Sequence, residues 1–225
     1  MDKTQIITID GPAGAGKSTL SKNLAQALGW NRLDTGAIYR AVALAAKESG
    51  LGPQDAQQVG LLAEKLDLSV KNHKAESRVF IGSRDVTGLI RNLEISALSS
   101  IYSSEPRVRA ALLELQRRLG ARGALVTEGR DMGTVVFPWA KLKFFLVADV
   151  GVRAERRYLQ LIRKGVSADK ASVLANLASR DLSDSSRSAA PLKPAPEALI
   201  IDSSNLSLFQ VETIMLGKAK EVFGL

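Results

Sequence analysis

The chain contains no cysteine and a single histidine, His73, among its 225 residues. The first absence excludes disulfides and thiolate metal sites and fits a reducing compartment. The second leaves no material for a histidine metal centre or a Ser–His–Asp triad. His73 falls in the polar stretch "VKNHKAESR", where a solvated turn is expected. Aromatic residues make up only 5% of the chain, which leaves little for the base-stacking platforms of a nucleic-acid binder. No apolar run reaches the ~18 residues of a membrane-spanning helix. The start "MDKTQ" lacks the charged-then-apolar pattern of a secretory signal, so a cytoplasmic protein without membrane contact is expected.

What is present is an ordinary globular balance, 45% hydrophobic and 24% charged, with a formal net charge of +8. The length suits one substantial core, or one domain with an insertion. The arginines are spread through the sequence rather than clustered, so they can converge on a small, highly charged ligand better than on a nucleic acid. Buried-strand runs alternate with helical ones. "QIITID" precedes "STLSKNLAQAL", whose Leu20, Leu24, Ala27 and Leu28 make one helical face. "GALVTEG" and "KLKFFLVADV" read as a second and third strand. The third feeds "VRAERRYLQLIRKG", with a stripe of Val152, Leu159 and Ile162. "EALIID" is a fourth strand, and a last helix is expected from Ser207 to Phe223, opened by a Ser207/Gln210 capping box. Continuous apolar strands separated by helices predict a parallel sheet in an α/β fold. Residues 66–90 break that pattern and read as short antiparallel strands, while "SRDLSDSSRSAAPLKPAP" reads as an irregular linker or mobile loop.

"GPAGAGKS" fits G-x-x-x-x-G-K-[ST] with Gly11, Gly16, Lys17 and Ser18. Glycines let the backbone turn its N–H groups onto phosphate, the following helix aims its positive end at the same oxygens, Lys17 reaches the β/γ-phosphates, and Ser18 offers a hydroxyl to Mg²⁺. The loop predicts nucleoside triphosphate binding by Gly11, Pro12, Ala13, Gly14, Ala15, Gly16, Lys17, Ser18 and Thr19. It does not identify the acceptor. An N-K-x-D base-reading motif is not found, and "ALVTEGRD" is only a loose version of a motor ATPase strand. Three further stretches suggest an anion site: "LDTGAIYR" with Thr35 and Arg40, "SSEPRVRAALLELQRR" with Arg107 and Arg109 opening a helix carrying Leu112, Leu115 and Leu119, and "TEGRDMG" with Glu128, Arg130 and Asp131 just past a strand end. On these residues alone, a kinase for another small acceptor and a basic nucleic-acid-binding ATPase module both remain open.

Taken in order, "ITIDGPAGAGKST", "LDTGAIYR", "PRVR", "EGRDMGTVVFP" and "APL…IDSS" resemble the bacterial cytidylate kinases, across nearly the whole chain. The resemblance implies a nucleoside monophosphate kinase fold: a parallel-sheet core (about 1–33, 122–152 and 188–225), an enlarged monophosphate-binding region (about 34–121) and a lid (about 153–187). It implies transfer of the γ-phosphoryl group of ATP to CMP or dCMP, with Mg²⁺, by a monomer acting on small molecules. It further implies that Thr35, Arg40, Arg130 and Arg187 hold the CMP phosphate, that Ser100, Arg109 and Asp131 read cytosine, and that Arg180 and Asp184 contact the sugar. Arg153 and Arg157, one helical turn apart, would face the transferring phosphoryl group beside Lys17 and Arg130. Two departures stand out. Glu128 occupies the place where the family pattern expects Asp, and the lid stretch "RDLSDSSR" is poorer in charge.

Overall fold

A computed structural model describes residues 5–73, 76–163 and 165–225. Five strands, β1 (Ile6–Asp10), β2 (Asn31–Asp34), β6 (Leu125–Glu128), β7 (Leu142–Val147) and β8 (Leu199–Asp202), form a sheet in the order β2-β6-β1-β7-β8. Every neighbouring pair is parallel. A second sheet joins β3 (Leu68–His73), β4 (Glu76–Ile81) and β5 (Arg84–Asp85) in antiparallel fashion. The helices are α1 (Lys17–Leu28), α2 (Thr35–Glu48), α3 (Ala56–Lys65), α4 (Leu93–Tyr102), α5 (Pro106–Gly120), α6 (Val150–Arg163), α7 (Lys170–Ser186) and α8 (Leu208–Phe223).

The pleat sends alternate residues of the parallel strands to two cores. Ile6, Leu33 and Leu125 pack with α2, α3, α5 and the small sheet. Ile7, Ile9, Val126, Phe144 and Leu146 pack with α1 and α8. At about 25 cal/mol per Å² of apolar surface buried, such fully enclosed side chains each contribute roughly 2 kcal/mol. A third, smaller cluster joins Ala154 and Leu161 of α6 to Val173 and Leu177 of α7, with Ala13 between them. Because the large sheet is all parallel, five chain segments leave it at one edge, and every one of them contributes to the cleft described below.

The antiparallel patch, the four apolar strands and the Ser207/Gln210 capping box form as expected. Four expectations need correction. The sheet has a fifth strand, β2, whose "NRLD" carries one buried apolar residue, Leu33, and therefore little strand signal. The face of α1 uses Ala25, whereas Ala27 is exposed. On α6, Leu159 and Ile162 are exposed, and the buried positions are Arg153, Ala154 and Leu161. "SRDLSDSS" is helical, as the end of α7. Its serines do not break the helix because their hydroxyls bond back to carbonyls of the preceding turn (Ser185 to Asp181 at 2.8 Å, Ser186 to Leu182 at 2.7 Å), and Asp169 caps the start by accepting from the Ser172 N–H. The solvated turn expected at His73 is not found there, since the His73 backbone ends β3 opposite Glu76; the rest of that expectation falls on residues 74 and 75, outside the described residues.

Candidate active site

The loop after β1 can only be built with glycine at its first position. Gly11 has φ 144°, and a Cβ there would lie 2.1 Å from the Leu146 carbonyl oxygen on β7. Gly14 and Gly16 also have positive φ, and α1 starts at Lys17. Lys17 is buried, with Nζ donating to the Pro12 carbonyl at 2.6 Å across its own loop. Burial, reinforced by the nearby Arg130 guanidinium, holds its ammonium well below the usual lysine range. Ser18 Oγ donates to Glu128 Oε2 at 2.7 Å.

Residues 13–20 line a cleft of about 670 Å³. Its opposite walls come from α6 (Arg156, Arg157, Leu159, Gln160 and Arg163) and from the segment after β8 (Ser203, Leu206 and Leu208). A recess of about 60 Å³ opens beside it, lined by Thr35, Tyr39, Arg109, Asp131, Asp184 and Arg187. Arg40, Arg130, Arg180 and Ser99 line both spaces, so the two adjoin, with arginines at the junction.

Each of these side chains is held by its neighbours. Asp34, at the end of β2, accepts from the Ala37 N–H at 3.0 Å and pairs with Arg40 at 3.1 Å, which caps α2 and points Arg40 inward. Burial alone would raise the Asp34 carboxyl, but Arg40, Arg32 and the capping bond outweigh it and hold it low. The turn over Met132–Val136 is fastened to β1, because Asp10 accepts from Met132 N–H at 2.9 Å and Gly133 N–H at 2.8 Å. That bond places Arg130 and Asp131. Asp131 pairs with Arg109, whose guanidinium lies 5.7 Å over the Tyr39 ring. Burial pushes the Tyr39 phenol up to about 12, so the ring is neutral at working pH. Arg130 Nε donates to Asp184 at 2.7 Å, and Arg187 lies 3.7 Å from the same carboxylate. Burial opposes ionisation of Asp184, yet Arg130, Arg180 and Arg187 together hold it below the usual range.

Most residues expected at a two-ligand site therefore meet. Lys17, Ser18, Arg40, Arg130, Arg157 and Arg180 face the larger cleft; Thr35, Arg109, Asp131, Asp184 and Arg187 face the recess. Gly11 and Pro12 shape the loop from behind. Two expectations are not met. Ser100 does not line either space; Ser99 and Ser103 do, since consecutive residues sit about 100° apart around a helix. Arg153 is buried away from the cleft, with Nε on the Ala148 carbonyl at 2.8 Å, Nη1 on the Ala13 carbonyl at 3.0 Å and Nη2 on Asp181 at 2.6 Å. Thr35 reaches an anion only by releasing its 2.7 Å bond to the Glu128 carbonyl.

Sequence reasoning missed Arg156 and Arg163. Their spacing with Gln160 (i, i+4, i+7) puts three polar side chains on one helical face, a signal that was available. Arg156 holds Ser203 through its hydroxyl at 3.1 Å and its carbonyl at 2.6 Å. Arg32, which contacts Glu128 at 2.5 Å, had no such signal. Among the described residues no helix is long and apolar enough to cross a membrane, and no cluster of three or more acidic or histidine side chains is placed to hold a metal on its own.

The chain as a whole is similar to known proteins. A gluconokinase of known structure from Sinorhizobium meliloti has the same fold, with a TM-score of 0.51 over 98% of this chain and 94% of that one, at 14% identity. Cytidylate kinases from Syntrophotalea carbinolica and Mannheimia succiniciproducens are each 45% identical to it. The first match covers 96% of this chain and 92% of the relative, the second 94% of both. The family model described as cytidylate kinase matches residues 7–221, which include every side chain placed above in the cleft and its recess, and the chain belongs to that family.

Proposed function

We propose that the site transfers the γ-phosphoryl group of ATP to the phosphate of CMP or dCMP, giving ADP and CDP or dCDP. The observation that carries this reading is the shared junction. A phosphate-binding loop and a recess with a paired Asp131 and Arg109 lie side by side and share Arg40, Arg130 and Arg180 as a common wall. Phosphates of two ligands would meet there.

ATP enters along the loop, its phosphates taken by the backbone N–H groups of residues 13–19 and by Lys17. The Ser18 hydroxyl suits Mg²⁺: its proton is committed to Glu128, so only lone pairs remain for a hard cation. When bound, Mg²⁺ neutralises phosphate oxygens and fixes their geometry. CMP lies in the recess. Arg130, Arg40 and Arg187 take its phosphate with planar forks, Arg180 and Asp184 flank the sugar, and Asp131 accepts from the cytosine N4 amine, where uracil has only a carbonyl. No general base is needed, since the acceptor oxygen is already anionic near neutral pH. Catalysis is then in-line positioning and charge neutralisation by Lys17, Arg130 and Arg157. In this reading α6 and α7 form a lid whose closure keeps water from the phosphoryl group. On the same reading the enzyme works as a monomer in the cytoplasm, and the absence of cysteine fits a reducing compartment.

The test is ADP release measured with ATP and Mg²⁺ against CMP, dCMP, UMP, AMP and GMP. Turnover confined to CMP and dCMP is expected, and turnover with a purine monophosphate would overturn the assignment. Lys17→Ala is expected to lose activity while keeping its circular dichroism spectrum. Asp131→Asn should narrow the preference for CMP over UMP by about tenfold or more; an unchanged ratio would remove Asp131 from base reading.

A further inference from the structure

Behind the phosphate loop lies a buried polar cluster in which Arg32 and Ser21 have no part in the reading above. Glu128, at the end of β6, presents one carboxylate oxygen to the loop and the other to a basic group on the neighbouring strand. Its Oε2 accepts from Ser18 Oγ at 2.7 Å. Its Oε1 accepts from Arg32 Nη2 at 2.5 Å and from Ser21 Oγ at 3.0 Å. Arg32 Nε in turn donates to Ser21 Oγ at 2.8 Å, closing a ring of three side chains around that oxygen. The side chains of Arg32 and Glu128 are 11% and 5% exposed, so the pair is desolvated and its geometry matters.

Strand register brings Arg32 there. Asp34 stands opposite Glu128 and Arg32 opposite Val126, so Arg32 is the diagonal neighbour of Glu128 on the same face of the sheet. The Arg32 carbonyl accepts from Ser77 Oγ at 2.6 Å, which anchors this edge strand to the small antiparallel sheet.

From this geometry we propose that Arg32 is a positioning residue for the Mg²⁺-facing hydroxyl of Ser18, acting through Glu128. A glutamate carboxylate has three side-chain torsions and turns freely unless something holds it. Arg32 and Ser21 occupy Oε1 and leave Oε2 to Ser18. With its proton given to Oε2, the hydroxyl turns its lone pairs toward the cleft. Arg32 also balances the charge of Glu128, so the carboxylate stays on Ser18 and does not swing out to solvent. Without Arg32 the hydroxyl is free to turn, and its donor end can face a cation. The inference rests on the proposed triphosphate reading, and it concerns how well the loop accepts metal rather than whether it binds phosphate.

The experiment is calorimetric titration with a non-hydrolysable ATP analogue, once with excess Mg²⁺ and once with chelator. The ratio of the two affinities measures what the metal adds. Arg32→Leu is expected to lower that ratio about tenfold, the usual cost of losing a group that orients a metal ligand, while leaving metal-free affinity in place. Ser18→Ala should lower the ratio by itself, and adding Arg32→Leu to it should bring no further loss. A ratio unchanged in folded Arg32→Leu, or a full additive loss on top of Ser18→Ala, would overturn the proposal. Arg32 would then be only a structural partner, visible in thermal stability alone. Should Arg32→Leu fail to fold, Arg32→Lys keeps the charge without the fork and is read the same way: a lowered ratio supports the role and an unchanged one removes it. If the wild-type protein binds no analogue under either condition, the triphosphate reading fails and the proposal falls with it.

Discussion

Asp10 shows how one side chain can both build the site and burden the fold. It accepts the backbone N–H groups that hold Arg130 and Asp131 in place, and it is only 4% exposed at the end of β1. Burial dominates those two bonds and raises its carboxyl from 3.8 to about 6. A folded-state pKa above the unfolded one means the native protein holds that proton more tightly. The associated stability is present below about pH 4 and is lost as pH rises through 6, about 3 kcal/mol in all. Asp10→Asn carries no such proton. The lost acceptor adds a constant cost, but the wild-type advantage over the variant should shrink by about 3 kcal/mol between pH 4 and pH 7. Urea unfolding of both proteins across that range measures the difference. A difference that stays flat with pH would mean Asp10 is ionised throughout and that its two bonds outweigh its burial.

At the scale of elements, local signals and cross-chain contacts separate clearly. The phosphate loop was legible because its chemistry is contiguous, and β1, β6 and β7 because each is buried almost throughout. The β2 strand was not legible, since "NRLD" becomes a strand through pairing with β6, 94 positions away in sequence, as the register of Asn31 on Leu125 shows. Of the arginines of the recess, Arg40, Arg109 and Arg130 stood in stretches that read as an anion site, whereas Arg180 and Arg187 came to light only through a family likeness, because they meet the others only in three dimensions. Arg153 was misplaced for a related reason. The turn spacing with Arg157 is real, but two helical faces diverge there, one to the cleft and one to the packed seam between α6 and α7. In that seam Arg153 ties three elements together: the end of β7 through Ala148, the phosphate loop through Ala13, and α7 through Asp181. Arg153→Met keeps most of the packing but strands a partly buried carboxylate and two carbonyls. A loss of about 3 kcal/mol is expected in chemical unfolding. Affinity for ATP should fall more than affinity for CMP, because the loop and not the recess loses its tether. Adding Asp181→Leu should recover part of the stability, as removing both members of a buried pair usually does. Equal losses of the two affinities would place Arg153 in general support of the fold.

For the whole molecule, the net charge of +8 matters less than where it converges. Arg40, Arg130 and Arg180 crowd the junction of cleft and recess with Arg157 close by in the cleft, and the fold must hold these cations against one another. Arg180 carries the strain most clearly. Its Nε is buried with no hydrogen-bond partner among the described residues, and burial, with Arg130 next, lowers its guanidinium from 12.5 to about 10. Because it stays charged in both folded and unfolded chains below pH 10, its cost is constant over the working range and no pH scan exposes it. Substitution does. Arg180→Met removes the repulsion and keeps the length of the side chain. Since water still reaches part of Arg180, the gain is about 1 kcal/mol, or roughly 2–4 °C in Tm for a chain of this size. In the proposed function the same variant also loses a partner for the substrate. CMP at 100 times its Kd stabilises the wild-type protein by about 2.7 kcal/mol, and in the variant that concentration should stabilise much less. Thermal unfolding with and without CMP reads both effects together. A higher Tm without ligand and a smaller shift with it would mean that the protein gives up stability to hold its cations ready for phosphate. A lower Tm with the CMP shift intact would instead make Arg180 a structural counter-charge for Asp184.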